Sequence, residues 1–179
     1  FCLSRGLGDV YKRQALLIVI PIRYFIFQPF FVRGESMEPN FHEGDYLIVD
    51  ELSYRFRDPQ RGEVIVFHYP ENPSQRYIKR IVGLPGEHIS IKEGKIYIST
   101  VQGKEFFLDE SSYLPSWVVT TGEIDIKLGK NQYFVLGDNR VASSDSRKWG
   151  PLDRRHIIGR VLIRAWPPSA FAYIGAPEY

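Results

Sequence analysis

RGEVIVFHYPENPSQRYIKRIVGLPGEHISIKEGKIYIS, residues 61–99, is the stretch whose reading decides the fold. It holds β-branched and aromatic runs at 63–69, 76–84 and 88–99, punctuated at Arg61-Gly62, Leu84-Pro85-Gly86 and Glu93-Gly94. Runs of this length bounded by Gly and Pro read as strands. Glu93-Gly94 joins two alternating halves, which predicts a tight hairpin. Working outward, YLIVD (46–50), QYFVLGD (132–138) and IIGRVLIRAW (157–166) repeat the pattern. Residues 100–131 are weaker in period and richer in turn residues, so they read as an excursion from the main sheet. The expected fold is mainly β: an antiparallel curled sheet, β-barrel-like because so many short strands need their edges closed.

The 179 residues suit one domain plus an appendage. A content of 44% hydrophobic and 25% charged residues excludes a disordered chain. The net charge of +2 and the lack of a dense basic stripe argue against nucleic acid as a partner. Cys2, the one cysteine, excludes an internal disulfide, and four scattered histidines offer no metal-ligand spacing, so neither a metal nor another cofactor is expected.

The appendage is ALLIVIPIRYFIFQPFFV, residues 15–32, apolar apart from Arg23 and Gln28. As a helix it would rise about 27 Å, slightly less than a hydrocarbon core of about 30 Å. It reads as one N-terminal transmembrane helix whose aromatic cluster, Tyr24 to Phe31, suits a membrane interface. Residues 1–14 differ in composition and read as a tail, open between a native segment and an artefact of the sequence end. Taken as native, Arg5, Lys12 and Arg13 favour a cytoplasmic N-terminus and a body, 33–179, on the extracytoplasmic side. No second long apolar run precedes Tyr179, so a single pass is expected.

No histidine base suggests itself, because His68 and His88 fall inside strand patterns and His42 and His156 stand apart. The sharper pair is Ser36 and Lys79, since catalytic partners meet in space rather than in sequence. Strand alternation sets Lys79 on the face of Tyr77 and Ile81, an apolar face. A lysine aimed into apolar surroundings is costly to charge, and a neutral lysine can take a serine proton.

Four motifs stand in order: GESMEPN around Ser36, GDYLIVDE at 44–51, RGEVIVFHYP running on to YIKRIVGLPGE at 61–87, and GDNRVASSDSRKWG at 137–150. Together they resemble the bacterial type I signal peptidases, membrane-anchored serine proteases that cleave signal peptides from exported proteins. The resemblance covers about 15–167. It implies that Ser36 is the nucleophile and Lys79 the general base. It further implies that Ser143 hydrogen-bonds and orients the lysine amine, and that Asp138, Arg80, Asp145 and Arg147 pair with one another to brace the site. Met37 would pack beside the nucleophile. Some members carry a serine two residues before the nucleophile as an oxyanion donor. Here Gly34 stands there, as in the Gram-positive-type variant, which leaves only the Ser36 N–H as an assured donor.

The same resemblance implies preproteins bearing signal peptides as substrates, bound extended beside a site strand with small residues at the first and third positions before the cleaved bond. It also implies a plasma-membrane location, contact with lipid and proximity to the secretion translocon. Two other readings fit parts of the sequence. A self-cleaving repressor-type Ser-Lys protease shares the dyad but has a DNA-binding domain where the apolar run stands here. A membrane-tethered β-module would need no Ser36, Lys79 and Ser143 together.

Overall fold

A computed structural model describes residues 10–15, 17 and 27–177. Among the described residues twelve strands form two antiparallel sheets: β1 Phe27–Phe31, β2 Tyr46–Asp50, β3 Val64–Tyr69, β4 Asn72–Gly83, β5 His88–Lys92, β6 Lys95–Ser99, β7 Glu105–Phe107, β8 Ile124–Lys127, β9 Gln132–Leu136, β10 Leu152–Asp153, β11 Ile157–Trp166 and β12 Ala172–Tyr173. The large sheet runs β1-β2-β11-β3-β4-β9-β10, with β12 beside β11, and the small one runs β7-β6-β5-β8.

The expected strands at 46–50, 63–69, 76–84, 132–138 and 157–166 all lie in the large sheet. Within 88–99 the hairpin forms as read. Glu93 and Gly94 both have positive φ, 51° and 77°, the backbone of a turn whose twist suits two paired strands. This hairpin belongs to the second sheet, which the 100–131 excursion completes with β7 and β8.

Two expectations are corrected. The large sheet is open rather than closed into a barrel, because it ends on β1 at one side and on the two-residue β10 at the other. Its edges are blunted instead: β10 is too short to template pairing, and β1 carries Pro29, which has no N–H to offer. The last part of the run 15–32 is also not helix. Residues 27–31 pair with β2 from Phe27 opposite Asp50 to Phe31 opposite Tyr46. Pro29 would interrupt a helix but is tolerated in an edge strand, and Phe30 packs against the core. Residues 16 and 18–26 of the expected anchor lie outside the described residues. Among the described residues no helix is long and apolar enough to cross a membrane.

Three buried clusters hold the sheets. One gathers Met37, Phe41, Leu47, Val49, Val66 and Ile78, and another Ile65, Phe67, Ile81 and Val135, while a third fills the space between the small sheet and the ends of β4 and β9. The first two lie on opposite faces of β3 and β4, Val66 and Ile78 facing one and Ile65, Phe67 and Ile81 the other, and strand alternation sets Lys79 on the second of these faces.

Candidate active site

Ser36 sits in the turn that follows β1. Gly34 opens this turn at φ +80°, a left-handed conformation that side chains rarely adopt. Met37 then drives into the core, fully buried, and its carbonyl accepts the Phe41 N–H at 2.9 Å. From the other side, the Asn139 N–H donates to Ser36 O at 3.1 Å and Asn139 Nδ2 to Glu35 O at 3.1 Å. The nucleophile candidate is therefore fixed by its own neighbour and by a loop a hundred residues on.

Lys79 lies in β4 opposite Ile65 of β3 and is only 3% exposed. Its Nζ is 2.7 Å from Ser36 Oγ, donates to Ile78 O at 2.8 Å and stands 5.6 Å from the Tyr77 ring centre. Burial pushes the ammonium down to about 8, with the charges of Asp145 and Asp138 opposing the drop. A base with that value is partly neutral near physiological pH, when its lone pair can accept the Ser36 proton.

The 137–147 loop closes the back of the site. Asp138 receives Arg80 through Nε at 2.8 Å and Nη2 at 2.7 Å, and Asn40 Nδ2 at 2.8 Å. Asp145 receives Arg147 through Nε at 2.9 Å and Nη2 at 2.8 Å, together with the Gly137 N–H at 3.1 Å. Burial alone would raise the Asp145 carboxyl, but Arg147, the Gly137 N–H and Ser143 outweigh it and hold it below its ordinary value. Each buried carboxylate thus has its own guanidinium in a two-pronged bond, the geometry in which such pairs are strongest. Gly137 is packed so closely on Ser143 and on the Ser36 carbonyl that no Cβ could fit between them.

The sequence matches the family model for signal peptidase, peptidase S26, over residues 11–166. The chain belongs to this family. It is a hydrolase of the signal peptidase I type. It is 38% identical over 158 residues to a probable signal peptidase I-2 of Synechocystis sp., covering 86% of this chain and 69% of that one. It is 33% identical over 175 residues to signal peptidase IB of Staphylococcus aureus, covering 92% and 91%. A solved signal peptidase I of Enterococcus faecalis is 30% identical, with a TM-score of 0.47 over 58% of this chain and 97% of that one.

In this peptidase the residues singled out by sequence come together, with one difference. Ser36, Met37, Lys79, Arg80, Asp138, Ser143, Asp145 and Arg147 all take part in the contacts above, and Gly34 shapes the turn. The hydrogen bond from Ser143 to the lysine amine is not formed, because Nζ is turned toward Ser36 Oγ and Ile78 O. Ser143 Oγ is buried without a hydrogen bond of normal geometry, though it lies near enough to Asp145 to help lower that carboxyl. The histidines lie elsewhere: His68 Nδ1 meets Pro73 O at 2.7 Å, and His88 Nε2 is 3.3 Å from Asp125. Sequence reasoning missed Asn40, Tyr113 and Arg140. Only the position of Asn40 in GESMEPN and of Arg140 in GDNR gave any signal.

Proposed function

We propose that the chain is a membrane-bound serine endopeptidase that removes N-terminal signal peptides from exported preproteins, with Ser36 as nucleophile and Lys79 as general base. The observation that carries this reading is a lysine amine, buried and held 2.7 Å from a serine hydroxyl. Neutral Lys79 takes the Ser36 proton as Oγ attacks the scissile carbonyl. It returns that proton to the leaving amine, which frees the mature chain and leaves the signal peptide as an ester on Ser36. Water, deprotonated by the same amine, then hydrolyses the ester. The Ser36 N–H is one donor to the oxyanion. Gly34 can offer no side-chain donor, so any second donor comes from another residue.

A groove of about 740 Å³ leads to the dyad, walled by Pro29–Ser36 on one side and Ser74–Lys79 on the other. β1 is an edge strand, and β4 pairs with β9 only from Arg80 onward, so backbone groups along both walls lack a strand partner on one side. An extended peptide can use such edges whatever its sequence, with selectivity left to the side-chain pockets. Names of relatives as signal peptidases agree with such a substrate. The reading further places residues preceding β1 in the plasma membrane as a single pass, with the body on the extracytoplasmic side near lipid and the translocon.

The test is cleavage of a preprotein with Ala at the first and third positions before the bond. Wild type should cut it once. Ser36→Ala and Lys79→Ala should each abolish cutting, and the double variant should be no worse, because the two act as a unit. Lys79→Ala retaining more than about a tenth of the wild-type rate, a loss of only about 1.4 kcal/mol, refutes the base assignment.

A further inference from the structure

The catalytic-side arginines are held by a segment that no motif contains. Arg80 Cζ lies 4.1 Å from the centre of the Tyr113 ring, a stacked contact on the guanidinium that grips Asp138. Tyr113 O accepts Asn40 Nδ2 at 2.8 Å, and the same Nδ2 bonds Asp138, so the segment touches both partners of that carboxylate. Eight residues on, Thr121 O accepts Arg147 Nη1 at 3.3 Å, on the guanidinium that grips Asp145. Near both of its ends the segment is tied down by Arg140. Its two Nη atoms bond Glu110 at 2.8 and 2.5 Å and it also bonds Thr120, while its Nε donates to Gly137 O at 3.1 Å. Leu114 and Thr120 are buried while most of their neighbours are exposed, so the segment is held at these two points and by the Arg140 bonds.

We propose that residues 110–121 form a positioning element for the lysine base: the segment locks Arg80 onto Asp138 and Arg147 onto Asp145, so that both carboxylates reach Lys79 already neutralised. The inference rests on the Ser-Lys reading above. The amine meets Ser36 from the turn after β1 and lies 5.6 Å from the Tyr77 ring, and the charges that act on it are those of Asp145 and Asp138 of the 137–147 loop, the first paired with Arg147 and the second with Arg80. Both charges favour the protonated, inactive amine. Two carboxylates stripped of their guanidinium partners would hold the proton on Lys79 at neutral pH. A tight stack and a carbonyl clamp from one segment therefore serve the base without touching it, which makes Tyr113 a positioning residue and not a catalytic one.

The experiment measures kcat/KM against pH for the full chain and for Tyr113→Leu, Tyr113→Phe and Glu110→Gln. Tyr113→Leu removes the stacking ring and should move the midpoint of the acid limb upward by about half to one pH unit, the effect of one partly released charge near the amine. At pH 7 that is a three- to ten-fold loss by about the same reckoning, recovered in full above pH 10. Tyr113→Phe keeps the ring but loses the hydroxyl's bond to Glu110, so its midpoint should lie much closer to wild type than that of Tyr113→Leu. Glu110→Gln loosens the anchor on Arg140 and should move the midpoint in the same direction by less. A fraction of misfolded protein lowers the height of the profile but does not move its midpoint, so reduced yield does not mask the result. Tyr113→Leu with an unchanged midpoint, whether its rate is normal or lowered, overturns the proposal. Should Tyr113→Leu yield no active protein, Glu110→Gln decides in the same way. A wild-type profile with no acid limb refutes the lysine base itself, a failure distinct from that of the segment.

Discussion

Lys79→Met should abolish cleavage and make the protein more stable. Lys79 is 3% exposed, and its amine titrates at about 8 in the fold against 10.5 for an ordinary lysine. Between these values the unfolded chain binds the proton and the folded chain does not, so stability rises as pH climbs from about 8 to 10.5. Above that window the lysine carries no charging penalty, and below it the penalty is complete. At about 1.4 kcal/mol per pH unit, the penalty at pH 7 is on the order of 3 kcal/mol. Methionine has similar length and no charge, but it leaves Ser36 Oγ and Ile78 O without the amine, a loss of about 1 kcal/mol. The net gain at pH 7 is then about 2 kcal/mol, or some 4–8 °C in Tm for a domain of roughly this size. Urea unfolding of both proteins at pH 7 and pH 10.5 measures it. Other groups titrate alike in the two proteins and cancel in the difference. A variant less stable than wild type at pH 7, or an advantage that does not shrink toward pH 10.5, refutes the account of Lys79 as a lysine destabilised by burial.

The same value sets the rate profile: kcat/KM should climb about tenfold per pH unit below about 8 and level off above it, as a neutral amine requires. A flat profile from pH 6 to 10 contradicts this. Gly137→Ala should cost about 1–3 kcal/mol of stability by overpacking and on the order of 100-fold in rate by displacing Ser143 and the Ser36 carbonyl. Near-normal kinetics for this variant would show that the loop does not set the site. Gly34 has space for a side chain but sits at φ +80°, so Gly34→Ala and Gly34→Ser should share a strain cost of about 1 kcal/mol. Turnover of Gly34→Ser above that of Gly34→Ala reports a new oxyanion donor, and equal turnover excludes one.

The long strands were legible because alternation and Gly or Pro punctuation are local properties. The pairing of Ser36 with Lys79 was expected from the motifs they stand in, and the structure brings Nζ and Oγ to 2.7 Å, although nothing in 43 positions of separation says that they meet. β1 was misread for a physical reason: an apolar run such as FQPFF records that it is buried, not whether lipid or a neighbouring strand buries it. β7 and β8, of three and four residues, are too short to show a period of two, and their partners β6 and β5 are what make them strands. The bonds of Arg140 to Glu110 and of Asn40 to Tyr113 join residues 30 and 73 positions apart, and no window of sequence holds both ends.

The position of β11 in the large sheet bears on when the enzyme becomes active. Strands β1 and β2 flank Ser36, the proposed nucleophile, and β4, paired with β3, carries Lys79, the proposed base, yet these two hairpins do not pair with each other. β11, residues 157–166, lies between them, bonded to β2 along one edge and to β3 along the other. A chain synthesised from its N-terminus thus makes Ser36 and Lys79 early and joins their halves of the sheet late. Until this keystone strand docks, the halves are joined only by side-chain packing and by the 137–147 loop, through Asn139 on the Ser36 carbonyl and Asn40 on Asp138, and the continuous sheet behind the 2.7 Å approach is incomplete. A product truncated before β11 should therefore hold the two halves loosely and cleave far more slowly than the full chain.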